Sequence, residues 1–138
     1  MLSAIQLLSH SFSKIELNAT DAENPDGELN GSHVLSTQKS ESEEHVWLAK
    51  LSVEFHNADE TNPAPYKGSF EIIGRFQLHP EFPAESSEKM IAMNTGAILY
   101  GAVREMIISL TSRSLHGSVQ IPTIDARSFI PKEDKPSE

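Results

Sequence analysis

The chain has 138 residues, no cysteine and a formal net charge of -9. That length suits one domain with a workable core. The missing cysteines exclude disulfides, thiolate zinc sites and cysteine nucleophiles, and the acidity argues against a phosphate-binding surface, so no nucleic-acid partner is expected. The opening MLSAIQLLSHSFSKIEL has no basic region before its short apolar run, and no stretch has the length to span a bilayer; no membrane insertion is expected and a cytoplasmic location is.

Ile5 to Leu17 reads as a strand with a bulge partway along. Ile5, Leu7, Ile15 and Leu17 share one parity while Leu8 and Phe12 take the other, and one inserted residue swaps faces. Residues 18–43 read as a long connection rich in Asn, Asp, Gly, Ser and Glu, with Leu29, Val34 and Leu35 as its sizeable apolar groups. Residues 21–45 carry seven acids against the single base Lys39, so most of the acidity belongs to this connection. In HVWLAKLSVEF, Trp47, Ala49, Leu51, Val53 and Phe55 alternate with Lys50, Ser52, Glu54 and His56, the pattern of a half-buried antiparallel strand. NADETNPAP is turn chemistry. The next strand places Tyr66, Phe70, Ile72, Phe76 and Leu78 on one face and Lys67, Ser69, Glu71, Arg75 and Gln77 on the other.

HPEFPAESSEKM turns the chain, with Ser86 or Ser87 as cap for a short helix through Met93. A main helix follows from Asn94 or Thr95 to a stop at Gly117. Stepping about 100 degrees per residue, Leu99, Tyr100, Ala102, Val103, Met106, Ile107 and Leu110 fill one apolar arc. Ile98, Gly101, Arg104, Glu105 and Ile108 fall outside it. This second face is too apolar for water, and Gly101 suggests the close approach of another backbone, so it reads as a contact with other subunits. SVQIPTI is extended, with Pro122 barring it from a central strand. Residues 131–138 read as a charged, disordered tail after a domain of residues 1–130.

Chemistry is absent from the pattern. The six histidines fall on different elements, without helical spacing to each other or to a carboxylate, so no metal site is expected. No nucleophile elbow, phosphate loop or dinucleotide fingerprint occurs. The chain reads as a non-enzyme without cofactors or catalytic residues. A hot-dog-fold thioesterase is the enzyme alternative, but three strands precede the helix and little strand follows.

The order of strand, long connection, two strands, long helix and proline-containing extended segment resembles the SecB family of protein-export chaperones. The resemblance is sharpest at NTGAILYGAVREMIISLTSRSLHGSVQIPTIDARSF, through Asn94, Leu99, Tyr100, Val103, Arg104, Glu105, Ile107, Leu110, Ser112 and Arg113. It implies an α+β fold, a four-stranded antiparallel sheet with a long helix on one face, assembling as a dimer of dimers. Ile98, Gly101, Arg104, Glu105 and Ile108 would then lie at the contact between subunits. It also implies a holdase for unfolded preproteins in export, with client-binding residues carried over by position as Leu29, Val34, Leu35, Ile121, Ile124 and Phe129. Trp47 could join them, although its parity favours the core. Two departures matter: the chain is too short for the family's second amphipathic helix and acidic tail, and the outer strand positions are nearly neutral where exporting members face the motor SecA with acids. Holding a client is thus better supported than delivery to SecA, and a chaperone dedicated to one client, such as an antitoxin, is the natural variant.

Overall fold

The computed structural model describes residues 1–57, 61–82 and 87–131. Four strands, β1 (Ile5–Ala19), β2 (Leu29–Lys39), β3 (Val46–Asn57) and β4 (Tyr66–Leu78), precede one helix, α1 (Ser87–Thr111), and a 3-10 turn at Ala126–Phe129. The sheet order is β1-β4-β3-β2, with every neighbouring pair antiparallel. The two strands with the cleanest alternation are the two central ones.

The inner face of the sheet is the expected one. Ala49, Leu51, Val53 and Phe55 of β3 and Tyr66, Phe70, Ile72, Phe76 and Leu78 of β4 are buried against Ile91, Leu99, Tyr100, Val103 and Ile107 of α1. Gly74 sets the spacing of the two layers: a Cβ there would come within 3.0 Å of the Leu99 side chain. Burying so many large side chains at roughly 1.5–3 kcal/mol each is the main favourable term in the fold.

β1 contains the expected bulge and a second one. The register skips Leu8 between Leu7 and Ser9, and Ser13 between Phe12 and Lys14. The first extra residue moves the inner face from odd to even positions, and the second moves it back. Phe12 therefore lies opposite Ile72, while Leu7 and Ile15 lie opposite Phe76 and Phe70.

Three expectations are corrected. The connection 18–43 is not one loop, because β2 occupies its middle and pairs with β3 along its whole length. Its inward positions are Leu29, Gly31, His33, Leu35 and Thr37, so small and polar residues break up the apolar alternation. The two helices expected around Met93 are one continuous α1. Asn94 and Thr95 do not cap: Asn94 Nδ2 donates to the Met90 carbonyl at 2.7 Å and Thr95 Oγ1 to the Ile91 carbonyl at 2.7 Å, both four residues back in the same helix. The helix ends at Thr111, before Gly117, which turns the chain with φ 79°. Ser112 and Ser114 hydroxyls donate to the carbonyls of Ser109 and Leu110 there, each at 2.7 Å, and serve terminal acceptors that helix geometry leaves open. Ser86, proposed as a cap, and all of the expected tail except Pro131 lie outside the described residues.

Candidate functional site

After Gly117 the chain doubles back and runs along α1 toward its beginning. Side chains tether it. Thr111 Oγ1 accepts the Val119 N–H at 3.0 Å, Arg104 Nε donates to the Ile121 carbonyl at 3.3 Å, and Tyr100 Oη donates to the Pro122 carbonyl at 2.6 Å. The turn itself is locked to the sheet by Tyr66, whose hydroxyl donates to the Gly117 carbonyl at 2.8 Å and accepts the His116 N–H at 2.9 Å. Farther on, Asp125 caps the 3-10 turn by accepting from the Arg127 N–H at 2.9 Å and also binds the Arg127 guanidinium through both oxygens. That guanidinium first, and the N–H second, hold the Asp125 carboxyl down to about 2. The turn then directs Phe129 into a notch where α1 has no side chain. A Cβ on Gly96 would overlap the Phe129 ring, which also meets the rings of His33 at 5.0 Å and Tyr100 at 6.0 Å.

Residues 119–131 therefore lie between α1 and the inner face of β2, and a line of hollows follows them. A tight cavity of about 70 Å³ is lined by Leu29, His33, Phe55, Tyr100, Ile121 and Ile124 among others. At the Leu29 end it borders a wider cleft of about 650 Å³, where Glu28 and Arg104 add opposite charges. Past the Phe129 plug, Leu35, Thr37, Trp47, Glu88, Lys89 and Ile130 line a cleft of about 470 Å³. From Leu29 to Thr37 this groove is about 26 Å long, at roughly 3.3 Å per strand residue. The tight cavity is mostly apolar, and the two wider clefts mix apolar walls with polar and charged groups such as Glu28, Arg104, Glu88 and Lys89. Such a surface favours an extended apolar segment more than a small polar molecule. Burial raises the Tyr100 phenol above its ordinary range, which favours the neutral form that donates to the Pro122 carbonyl.

The six residues expected to bind a client do not form one surface. Leu29, Ile121 and Ile124 converge on the tight cavity, and Leu35 lines the next cleft together with half-buried Trp47. Val34 stands on the opposite face of the sheet, 69% exposed. Neighbouring residues of a strand point to opposite sides, whereas a loop would have allowed Val34 and Leu35 to fold over together. Phe129 is 3% exposed and fills the groove rather than lining an open one. Sequence reasoning missed His33, Val53, Phe55, Tyr100 and Pro122 as lining residues, because their convergence depends on β2 pairing with β3. The alternation of Leu29, His33 and Leu35 is the signal that was there to find.

The residues expected at a subunit contact share the face of α1 turned away from the sheet. Ile98 is 38% exposed, Glu105 is exposed, and Arg104 and Ile108 are half-buried. Among the described residues, nothing lies within 4 Å of where a Gly101 Cβ would stand, so the position is open. Among the described residues, no three His, Cys, Asp or Glu side chains gather as a metal site, and no helix is long and apolar enough to cross a membrane.

No family model and no curated protein matches the chain. Solved structures do. A SecB-like chaperone of Mycobacterium tuberculosis, in complex with a ChAD peptide from the HigA1 antitoxin, superposes with a TM-score of 0.65 at 15% identity, over 88% of this chain and 91% of that one. A protein of unknown function from Streptococcus agalactiae superposes with a TM-score of 0.56 at 14% identity, over 86% of this chain and 97% of that one. The four-stranded antiparallel sheet with one long helix on its inner face is thus a SecB-like α+β fold.

Proposed function

We propose that this chain is a SecB-like chaperone that holds a non-native polypeptide segment, without catalysing a reaction, in the groove between β2 and α1. The observation that carries this reading is the groove: about 26 Å of mostly apolar wall at strand spacing, in a fold shared with a chaperone whose structure contains a bound peptide. The peptide in that relative comes from an antitoxin, which favours a single dedicated client over general export. The outer sheet face supports the same preference. Lys50, Glu54, Lys67, Glu71 and Arg75 nearly cancel, and Arg75 and Lys50 are already engaged by Glu43 at 2.6 Å and Glu71 at 3.8 Å, so there is little free negative charge to offer the motor SecA. The chaperone acts in the cytoplasm as a dimer of dimers, with the outer face of α1 at the contact between copies.

The test is suppression of aggregation of a slow-refolding client. Wild type protects, Leu29→Ser/Ile124→Ser loses most of the protection, and Val34→Ser, across the sheet, keeps it. Equal protection by all three proteins would remove the groove from the mechanism. Affinity comes from apolar burial, about 25 cal/mol per Å² before ordering costs. Protection therefore persists near 1 M salt, where charges are screened to roughly 3 Å.

A further inference from the structure

We infer that residues 119–130 are an internal stand-in for the client, a strap that occupies the groove in the empty protein and must be displaced for the client to enter. This rests on the reading of the groove given above. Three observations carry it. First, the strap has the form the groove selects: extended, with Val119, Ile121 and Ile124 lining successive hollows between β2 and α1 and Phe129 filling the notch at Gly96. Second, its attachment is of a kind that competes and releases. Among the described residues, no backbone-to-backbone hydrogen bond joins residues 119–131 to a strand or to α1; the backbone bonds within this segment are those of its own 3-10 turn. It is held instead by side-chain bonds from Thr111, Arg104 and Tyr100 and by apolar contact, above all that of buried Ile121 and of the Phe129 ring in its notch. Third, the notch is built for that ring. Gly96 sits in the interior of a helix, where glycine costs about 1 kcal/mol relative to alanine, and any Cβ there would overlap Phe129.

The strap therefore describes the client. The segment that replaces it carries branched aliphatic residues at two places near its start and an aromatic residue several positions later, to refill the Ile121 and Ile124 hollows and the Gly96 notch. Tethered next to the groove, the strap acts at a high effective concentration. An outside segment then wins only by matching those sockets or by extending into the clefts at either end.

The probe is a fluorescein-labelled peptide of residues 118–131 of this chain, added to the full-length protein. Phe129→Ala empties the notch and should bind the peptide at least about tenfold more tightly than wild type. Gly96→Ala/Phe129→Ala closes the notch to both and should lose that gain. In wild type itself, saturating peptide should move the methyl NMR signals of Ile121 and Ile124 to their unstructured positions and leave those of Ile72 and Ile107 in place. This second readout needs no variant to fold. If Phe129→Ala binds no better than wild type and the strap methyls stay put, while aggregation of a denatured client is still suppressed, the strap is a fixed wall and the inference is overturned with the holdase reading intact. If neither the peptide nor a denatured client is held by wild type or by Phe129→Ala, the holdase reading falls and takes the strap with it.

Discussion

Single side chains fasten the ends of the elements together. Tyr66, 1% exposed, bridges the turn after α1 through two hydrogen bonds, and the adjacent His116 ring pairs its Nε2 with the Thr20 carbonyl at 2.7 Å. Removing that hydroxyl strands a part-buried N–H and a carbonyl. Tyr66→Phe should therefore cost about 1–3 kcal/mol, seen as a lower denaturant midpoint at an unchanged slope. On the outer face, Glu71 accepts from the Ser13 hydroxyl at 2.6 Å and from Ser52 at 3.5 Å, with Lys50 nearby. The Ser13 bond first, and Lys50 and Ser52 after it, hold the Glu71 carboxyl below the ordinary 4.5. A depressed carboxylate contributes stability above its unfolded value and loses it as pH falls through the folded one. Ser13→Ala should raise the Glu71 titration back toward the ordinary carboxylate range in a carbonyl-detected NMR experiment and lower stability at neutral pH while flattening its decline in acid. A titration that does not move would show that Ser13 is only a neighbour.

At the scale of elements, Ser13 has a second role as the extra residue of a bulge, which yields a prediction about register. Deleting an unpaired bulge residue leaves every β1–β4 pair in place, whereas deleting the paired Ser11 brings Ser13 to the inner position of Phe12. The Ser13 deletion should thus be tolerated, and the Ser11 deletion should cost at least about 1 kcal/mol more through lost Phe burial, compared by thermal unfolding. β1 also shows how much of the fold was legible. Its switch of parity at Leu8 and Phe12 revealed a bulge, and the return of parity at Ile15 required a second. β3 and β4 were readable because most of their inward positions carry large apolar side chains. β2 was hidden because Gly31, His33 and Thr37 share its inward face with only two leucines, and pairing with β3 supplies what local pattern does not. The groove was legible in part for the same reason. Leu29, Ile121 and Ile124 are reached by position through the family resemblance and come together in the structure, whereas Val34, expected on a loop, stands on the outer face because its segment is a strand. The plug of Phe129 on Gly96 joins residues 33 positions apart, with no signal in either alone.

At the scale of the molecule, the face of α1 turned away from the sheet is left partly open by the described residues. Met90 is 43% exposed and Ile98 38%, and Ala97 and Gly101 lie with them along the same stripe, ahead of half-buried Ile108. Small residues permit close approach and large apolar ones reward it, which is the composition of a packed contact between helices. Charge fits the same arrangement. Neither Arg104 nor Glu105 forms a salt bridge among the described residues, and the Arg104 guanidinium donates from Nε to the Ile121 carbonyl. Two copies of α1 crossing antiparallel about a two-fold axis between these positions would set the arginine of each against the glutamate of the other, because an isologous contact makes every pairing twice. We therefore expect light scattering to give a tetramer at micromolar concentration, and Ile98→Glu/Ile108→Glu to give a smaller species with unchanged circular dichroism. Arg104→Glu should weaken the assembly by placing like charges at the crossing, and Arg104→Glu/Glu105→Arg should recover part of the loss, since the exchanged pair meets again across the axis. A stable monomer in the wild-type protein would remove the contact altogether. Loss without recovery in the double variant would leave the apolar stripe as the contact and take the charge pair out of it. The arginine also touches the strap through Ile121, so the same variants should alter peptide binding in step with assembly, and a change in one without the other would separate the two roles of Arg104.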